Sequence, residues 1–558
     1  MSTSNPINAT STAPELQGTD VAATPGQPQE DFELQDDVEP TNEAESTYPT
    51  GAQFWAILTG ILLSIALVGL DGSILATAVP TITNDFKTTS DIGWYSAAAR
   101  LTYTSLLFLF GKLYTVTSIK RTFLVALVIF ELGSLLATVA PSSKVLVLAR
   151  AVSGVGVSGL ISGAFTILTQ SVPLRKRALY GGLAGGVETL AAVSGPLIGG
   201  FLTDKFTWRA CFGINLPLGG IVLVVLSIWF KDPRSNPDTE LPLKDKLKKL
   251  DLPGTAVFVP SVTCLLLALQ WGGLTYSWSD ARIIVLFCVF AASLTCFLWF
   301  QRIQGDNATL PLRILKQRSI VSGAFFSACA NATLAVVEYY MAIYFQAVKG
   351  LSPSRSGLLS IPLMIGLGIA CLVAATTTTL IGYYAPLMII STALASIGAG
   401  LLTTLPVNAN LASLIGFQAL LSFGVGLGIQ APQLAAQTVL LEKEVSIGLS
   451  VVLFGQGIGP AAMVVAAQSI FQNRLEDALP DLGRNTTNPG SGSSGKGSLD
   501  NLGLADVRHH LGGDQLGKAL LGLDQAVTQT LYLPVALACL TLLGAVGMEW
   551  RSVKKKTS

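Results

Sequence analysis

Charged residues are scarce in this chain, and their scarcity excludes most classes of soluble protein. Of its 558 residues, 12% are charged and 50% are hydrophobic, whereas soluble domains carry about 25% charged residues. A soluble chain of this length would form several domains with polar surfaces, which this composition does not provide. A collagen, a disordered chain and a nucleic-acid-binding protein are excluded on the same grounds. The composition instead predicts an integral membrane protein with many spans.

Paired cysteines and membrane-embedded histidines are also missing. The seven cysteines lie in apolar stretches without CxxC spacing, which argues against a disulfide framework and a zinc site. The two histidines, His509 and His510, stand together in a polar segment. We therefore expect no metal, no other cofactor and no enzyme that depends on histidine within the membrane.

The first fifty residues lack basic side chains altogether. Residues 1–50 contain ten acids and no Lys or Arg, and they are rich in Ser, Thr and Pro. This composition predicts a disordered acidic tail. The segment has no basic start followed by an apolar core, so it is not expected to be a signal peptide.

Long apolar runs fill the rest of the chain. Because a helix crosses the ~30 Å hydrocarbon core in about 20 residues, these runs predict an all-α fold with fourteen transmembrane helices. The predicted spans lie near residues 54–75, 93–114, 121–140, 145–169, 178–202, 211–230, 252–271, 283–301, 320–346, 356–378, 385–405, 410–430, 447–470 and 527–549. The runs are too long for the ~10-residue alternating strands of a membrane β-barrel.

Basic residues in the loops predict the orientation. Twenty-one Lys and Arg residues fall on the side that would hold both termini, against seven in the short loops of the other side. Because basic loops face the cytosol, we expect both termini there, including a basic tail at 551–558. The segment 471–526 becomes a non-cytosolic loop, in which Asn485 begins a glycosylation acceptor. The expected location is the plasma membrane, with the vacuolar membrane as the alternative.

Ionisable residues inside the predicted spans need a function or an ion pair, because each costs at least about 2.5–3.5 kcal/mol on insertion scales. They are Asp71, Arg100, Glu131, Arg150, Glu188 and Glu338. A buried carboxyl can hold a proton in one conformation and release it in another. Interhelical ion pairs and snorkelling side chains are the open alternatives. All except Glu338 are candidates for proton coupling.

Five segments carry a combination of motifs: LDGSILATAVPTITNDF (70–86), LARAVSGVGVSGLISG (148–163), SGPLIGGFLTDKFTWRACFGINLPLGG (194–220), LDLPGTAVF (250–258) and YYMAIYFQAVKGLSPSRSGLLSIP (339–362). In order and spacing they resemble the 14-span drug:proton antiporter branch of the major facilitator superfamily. Within that branch the chain is most similar to fungal efflux pumps for toxins and secondary metabolites. The resemblance covers about residues 50–475 and the last span.

The resemblance implies roles for particular residues. Arg150 matches the arginine of span 4 that is associated with proton coupling, and Asp71 matches the acidic position of span 1. The antiporter motif of span 5 is matched by Gly195, Pro196, Gly199 and Gly200. Proline removes a backbone hydrogen bond and glycines allow close packing, so we expect a hinge between the halves. The loop GKLYTVTSIKR (111–121) departs from the family pattern, because Thr115 replaces its acid.

The resemblance also implies two six-helix bundles that rock about a midplane cavity. The bundles are expected over 51–231 and 320–550, with two extra spans within 232–319. Two segments of the chain, SGPLIGG (194–200) and GQGIGPA (455–461), are weakly similar to each other, which agrees with such a repeat. The residues expected to line the cavity, unless they form interhelical hydrogen bonds, are Asn331, Glu338, Tyr339, Gln346, Gln430, Gln433, Gln437 and Gln456.

These observations together predict a secondary active transporter. We expect a monomer in the lipid bilayer that exports a small amphipathic molecule, such as a toxin, a secondary metabolite or a drug, in exchange for protons. Its partners are then the small-molecule substrate and protons, and no nucleic acid. Proton-coupled uptake of a siderophore or nutrient is the open alternative. A membrane receptor or a membrane enzyme is less well supported.

Overall fold

The computed structural model describes residues 48–88, 91–232, 249–273, 276–305, 308–478 and 514–554, together with residues 242 and 246. This part of the chain contains eighteen α-helices, one π-helical turn and no β-strand. The predicted acidic tail up to residue 47, the histidine pair and Asn485 lie outside the described residues.

The helices fall into three groups along the chain. The first group is α1 (Gly51–Phe86), α2 (Ile92–Val116), α3 (Ile119–Thr138), α4 (Ser143–Ser171), α5 (Leu174–Lys205), α6 (Ala210–Gly213) and α7 (Asn215–Trp229). The middle group is α8 (Leu252–Trp271), α9 (Ala281–Gln304) and α10 (Leu312–Lys316). The last group is α11 (Arg318–Ile343), the π-helical turn (Tyr344–Val348), α12 (Pro353–Ile381), α13 (Ala385–Leu402), α14 (Leu411–Ile429), α15 (Ala431–Val439), α16 (Val445–Ala478), α17 (Asp514–Thr530) and α18 (Tyr532–Gly547).

Thirteen segments of the described chain are long and apolar enough to cross a membrane. They match thirteen of the predicted spans, and the count of fourteen is not confirmed. The remaining predicted span corresponds to α2, which has 25 residues but is less apolar, because it carries Arg100, Lys112 and several hydroxyl side chains. Leu132, Leu190 and Leu543 are among many large apolar side chains exposed on the outer surface, as contact with lipid requires.

Local sequence sets several helix starts. The hydroxyl of Ser118 accepts a hydrogen bond from the backbone N–H of Arg121 at the start of α3. Ser352 does the same for Arg355 in α12, where Pro353 occupies the first helical position. Serine caps and a first-turn proline are the favoured residues at these positions, because they satisfy or remove backbone donors that have no partner in the helix.

The predicted loop 471–526 is helical at both of its ends. α16 continues to Ala478, and α17 begins at Asp514. α17 is amphipathic, and it buries Leu523 and Val527 against the aromatic rings of Tyr344 and Phe471. A window that searches for continuous apolar runs does not detect this helix, because only one face of it is apolar.

The two halves of the molecule repeat one packing pattern. In the first half α5 packs along α1, and both α2 and α3 pack along α4. In the second half α16 packs along α11, and both α12 and α13 pack along α14. Gly195 and Gly199 bring α5 onto α1, as Gly455 and Gly459 bring α16 onto α11. The two similar segments, 194–200 and 455–461, therefore occupy corresponding positions in a repeated bundle, as in many transporters.

The two middle helices pack against each other and against the edges of both halves. α8 contacts α2 of the first half and α16 of the second half. Asp251 caps α8 through the N–H of Gly254, and its buried carboxylate also accepts hydrogen bonds from the amides of Gln301 and Gln304 and from Thr309. This one carboxylate thus ties the start of α8 to the end of α9 and to the segment that follows it.

The ends of the helices define two sides of the molecule. We call the side at which α1, α3 and α5 begin the basic side, since Lys120, Arg121, Arg175, Lys176 and Arg177 lie there. The other side is called the opposite side. The basic side is the one that the loop charges predict to face the cytosol.

On the opposite side, α1 is tied to the start of α6. Asp85, which lies beyond the apolar span Gly51–Leu75, accepts hydrogen bonds at 3.0 Å from the indole of Trp208 and from the guanidinium of Arg209. These two donors hold the pKa of Asp85 below its ordinary value, because they stabilise the ionised carboxylate.

Candidate functional site

The two halves meet near the basic side. The hydroxyls of Thr166 in α4 and Ser446 in α16 are hydrogen-bonded at 3.0 Å. The backbone of Gly111 in α2 lies so close to Ser450 that a side chain at position 111 would clash with it. Gly182 allows an equally close approach of α5 to α12. Among the described residues, the hydrogen bonds and close glycine contacts between the halves all lie from the midplane to this side.

A buried arginine reinforces the same closure. Arg177 at the start of α5 donates hydrogen bonds to the backbone carbonyls of Val172 and Thr169. Its guanidinium lies 3.9 Å from the carboxylate of Glu442, which belongs to the other half, and it also hydrogen-bonds to Tyr48 just before α1. In the described part of the chain, the Arg177–Glu442 ion pair, the Thr166–Ser446 hydroxyl pair and close helix packing therefore hold this side closed.

Toward the opposite side the halves separate. Thr104 of α2 lies against Gly457 of α16, and Arg100, one turn further along α2, is exposed. Glu338 on α11 of the other half is exposed as well, and it is close enough to Arg100 to interact with it electrostatically. The two side chains form no ion pair within 4 Å. The molecule is therefore closed on its basic side and open on its opposite side.

Glu188 lies at the depth where the halves begin to separate. It belongs to α5, and its charge acts on the hydroxyl of Tyr103 in α2 and on the thiol of Cys371 in α12. One turn nearer the basic side, Gly185 accommodates the side chain of Gln430 from the second half. Glu188 therefore faces the seam between the halves and not the lipid. Arg100 has Glu338, not Glu188, as its neighbouring acid.

A narrow cleft lies at the seam and includes residues of both halves, with a volume of about 30 Å³. Of the predicted cavity residues, Gln430, Gln433 and Gln437 line this cleft. Gln433 and Gln437 are buried, and the side-chain oxygens of Gln430 and Gln437 have no hydrogen-bond partner among the described residues. These two oxygens are available to accept hydrogen bonds, but in this state the cleft is far smaller than the roughly 300–1,000 Å³ of a drug-sized ligand pocket.

The other predicted cavity residues do not line this cleft. The amide of Asn331 donates to the carbonyl of Ser327 in its own helix. Tyr339 and Gln346 lie toward the opposite side, on α11 and in the π-helical turn. Glu338 borders the open space described above. The amide of Gln456 lies 3.3 Å from that of Gln433, so Gln456 contacts the cleft only through a neighbour.

Asp71 and Arg150 form a buried ion pair inside the first half. Nη1 of Arg150 lies 2.8 and 2.7 Å from the two carboxylate oxygens of Asp71, and both side chains are at most 4% exposed. Nε of Arg150 donates to the backbone carbonyl of Tyr95. The amide of Asn215 in α7 donates to Asp71 and to the hydroxyl of Ser134 in α3, each at 3.2 Å. Asp71 therefore does not face the space between the halves, but couples α1, α3, α4 and α7.

Sequence reasoning missed Asn215 and Tyr95. Both lie near motif residues, and Asn215 falls within a segment that carried the family resemblance. A polar side chain near the start of an apolar span was the available signal for Asn215. No spacing rule predicts that the backbone carbonyl of Tyr95 would accept a hydrogen bond from Arg150, because that contact depends on how α2 crosses α4.

The glycines of the span 5 motif pack within one half. A methyl group at Gly195 would overlap Ser73, and one at Gly199 would overlap Thr77 and Ile74, all on α1. A methyl group at Gly200 would meet nothing within 4 Å. α5 continues through Pro196 as one helix. The motif thus makes a close seam between α5 and α1, and its action as a hinge between the halves stays a prediction.

Comparisons with known proteins agree with this architecture. Residues 61–464 match the family model described as Major Facilitator Superfamily. The chain is 43% identical over 507 residues to a protein of Arthroderma benhamiae named MFS-type efflux pump MFS1, covering 91% of this chain and 93% of the relative. It is 40% identical to the aspyridones efflux protein of Neocamarosporium betae, covering 93% and 91% of the two chains.

A solved structure shows the same fold at low identity. The proton:xylose symporter XylE, a major facilitator superfamily protein, superimposes with a TM-score of 0.57 at 13% identity. The match covers 90% of this chain and 98% of the symporter. At this identity the similarity concerns the fold alone.

Proposed function

This chain belongs to the major facilitator superfamily, and on that premise we propose that it exports a small amphipathic molecule in exchange for protons by alternating access. Two relatives that share about 40% of its residues over more than 90% of its length are named as an efflux pump and an efflux protein. A transporter, and not an enzyme, agrees with this family and with the thirteen apolar spans.

One observation carries the proposal: the seam between the halves is closed on the basic side and open on the opposite side. The closing contacts among the described residues include the Thr166–Ser446 hydrogen bond and the Arg177–Glu442 ion pair, which a rocking motion would break. The cleft with Gln430 and Gln437 would open to the basic side in the other state. An exporter would load its cargo there and release it in the state described above.

The proton-coupling part of the proposal rests on two acids in different surroundings. Glu188 faces the seam, so its access to water changes when the seam opens or closes. Asp71 is enclosed with Arg150, so its protonation would release the guanidinium and alter the packing of α1 against α4. Opposite-charge pairs inside a membrane protein are stable only while both partners stay charged.

We further propose that a monomer of this protein lies in the plasma membrane with its basic side in the cytosol. The excess of Lys and Arg on that side supports the orientation. In this orientation the open vestibule between Arg100 and Glu338 faces the exterior. When the exterior side closes, these two side chains would approach each other from the two halves.

Metabolite profiling of cells and medium tests the proposal and identifies the cargo at the same time. A deletion strain should retain a compound that the parent strain excretes, and a protonophore should cause the same retention in the parent. Complementation with Asp71→Asn or Glu188→Gln should fail to restore excretion, whereas Asp85→Asn, outside the network, should restore it. Excretion that persists in both acid variants and without a proton gradient would contradict the proposal.

A further inference from the structure

A second acid of the first half lies next to the Asp71–Arg150 pair. Glu131 belongs to α3, one turn nearer the basic side than Ser134, which receives the amide of Asn215. Both carboxyl oxygens of Glu131 are enclosed, and neither has a hydrogen-bond partner among the described residues. The carboxyl group lies against Gly219 of α7, where any side chain would overlap it. The fold thus provides a fitted space for this group but no donor to an ionised form.

The charges around Glu131 make an ionised carboxylate costly. Asp71 is the charged group that acts on it, and the effect is repulsive. On α4, the guanidinium of Arg150 is already held by both oxygens of Asp71. α7 offers Asn215 and no charge, α6 offers none, and Arg209 before α6 is bound to Asp85.

The facing groups of α2 add no compensating charge. Arg100 faces the space between the halves, and the ammonium of Lys112 donates to the carbonyl of Ala308. Neither cation therefore pairs with Glu131. A buried carboxylate without a partner is strongly disfavoured, so this conformation favours the protonated carboxyl group.

The stoichiometry of the cluster leads to the inference. The cluster contains two acids, Asp71 and Glu131, and one guanidinium, which is paired with Asp71, so it is neutral only when it holds one proton. The carbonyl oxygen of the Asn215 side chain is enclosed and without a donor in the described chain, one helical turn from Gly219. The nitrogen of the same side-chain amide already donates to Asp71.

We propose that Glu131 is a proton-binding site of the first half, and that it holds the proton while Arg150 is paired with Asp71. Moving the proton from Glu131 to Asp71 leaves Glu131 ionised and Asp71 neutral, so that Arg150 loses its partner at Asp71 and is attracted toward Glu131. Charge and proton number are conserved in this exchange. The inference deepens the proposed function and rests on it, since it names a carrier of the coupling proton outside the seam.

Infrared spectroscopy tests the inference without any cargo. Full-length protein in lipid nanodiscs at neutral pH should show the C=O stretch of a protonated carboxylic acid that is lost in Glu131→Gln. Because Gln has the shape of the protonated acid, this variant should fold, and its unfolding temperature should equal that of the parent or exceed it. Glu131→Asp should shift the band instead of removing it. The control Glu442→Gln, at a more exposed acid on the basic side, should leave the band unchanged.

A spectrum that is identical in the parent and in Glu131→Gln would overturn the inference, as would a large loss of thermal stability in that variant. The failure of the proposed function looks different. If a protonophore leaves excretion unchanged, proton-driven export is wrong whatever the spectrum shows. If excretion is proton-driven and the band is absent, only the assignment to Glu131 fails.

Discussion

Removal of one charge from the Asp71–Arg150 pair should destabilise the protein far more than removal of both. The pair is at most 4% exposed, and one guanidinium nitrogen contacts both carboxylate oxygens within 2.8 Å. A buried charge that loses its partner costs about 3–5 kcal/mol. We therefore expect Asp71→Asn and Arg150→Gln each to lower the free energy of unfolding by about that amount. The double variant leaves no uncompensated charge, so its loss should be smaller than the sum.

The assay is a double-mutant cycle on the purified full-length protein, with denaturant unfolding followed by tryptophan fluorescence. The expected coupling between Asp71 and Arg150 is about 2–3 kcal/mol, at the upper end for residues in one ion-pair network. The exposed pair Asp85 and Arg209 is the matched control, and its two substitutions should be nearly additive, because solvent screens the charges. Additive losses at Asp71 and Arg150 would refute the reasoning that the membrane interior makes each charge depend on the other.

Three further predictions concern packing, the closed seam and pH. Gly199→Ala should lower the free energy of unfolding by about 1–3 kcal/mol, because a methyl group overlaps α1, whereas Gly200→Ala should be neutral or stabilising; equal losses in the two variants would contradict the packing account. Thr166→Val should loosen the basic side. In a protein whose only cysteine is Cys371, this substitution should therefore speed the reaction of that cysteine with an impermeant maleimide. An unchanged rate would show that the hydroxyl pair does not hold the seam. The hydrogen bonds that Asp85 accepts from its two donors should stabilise the folded protein fully above the ordinary aspartate pKa of 3.8, and this stabilisation should be lost as pH falls through the lower pKa of the folded state. The unfolding temperatures of the parent and of Asp85→Asn should therefore converge in acid. A difference that stays constant with pH would contradict this assignment.

Much of the fold was predictable because hydrocarbon tolerates few alternatives to an apolar helix. Helices α3 and α4 occur close to where runs of about 20 apolar residues predict them. The helix that the sequence did not predict is α17, which lies largely within the predicted loop 471–526. It is amphipathic and packs with one face on the second half. A search for continuous apolar runs cannot identify a helix that has only one apolar face.

The candidate site was predictable residue by residue but not as an arrangement. The cost of a charge in the membrane singles out Asp71, Arg150 and Glu188 from the sequence. Which acid pairs with Arg150 depends on how α1 crosses α4, and the sequence does not contain that distance. The glutamines at 430 and 437 line a cleft, whereas Asn331 satisfies its amide within its own helix. These outcomes depend on helix rotation, for which a polar residue in an apolar span gives no signal.

The coupling of cargo to protons can be measured directly in proteoliposomes, with the compound that metabolite profiling identifies and a pH gradient of chosen sign. The exchange mechanism predicts that vesicles with an acidic lumen accumulate the compound above its external concentration, and that a protonophore abolishes the accumulation. Vesicles with an alkaline lumen should not accumulate it. Accumulation in the alkaline lumen, or equal uptake under both gradients, would contradict proton antiport.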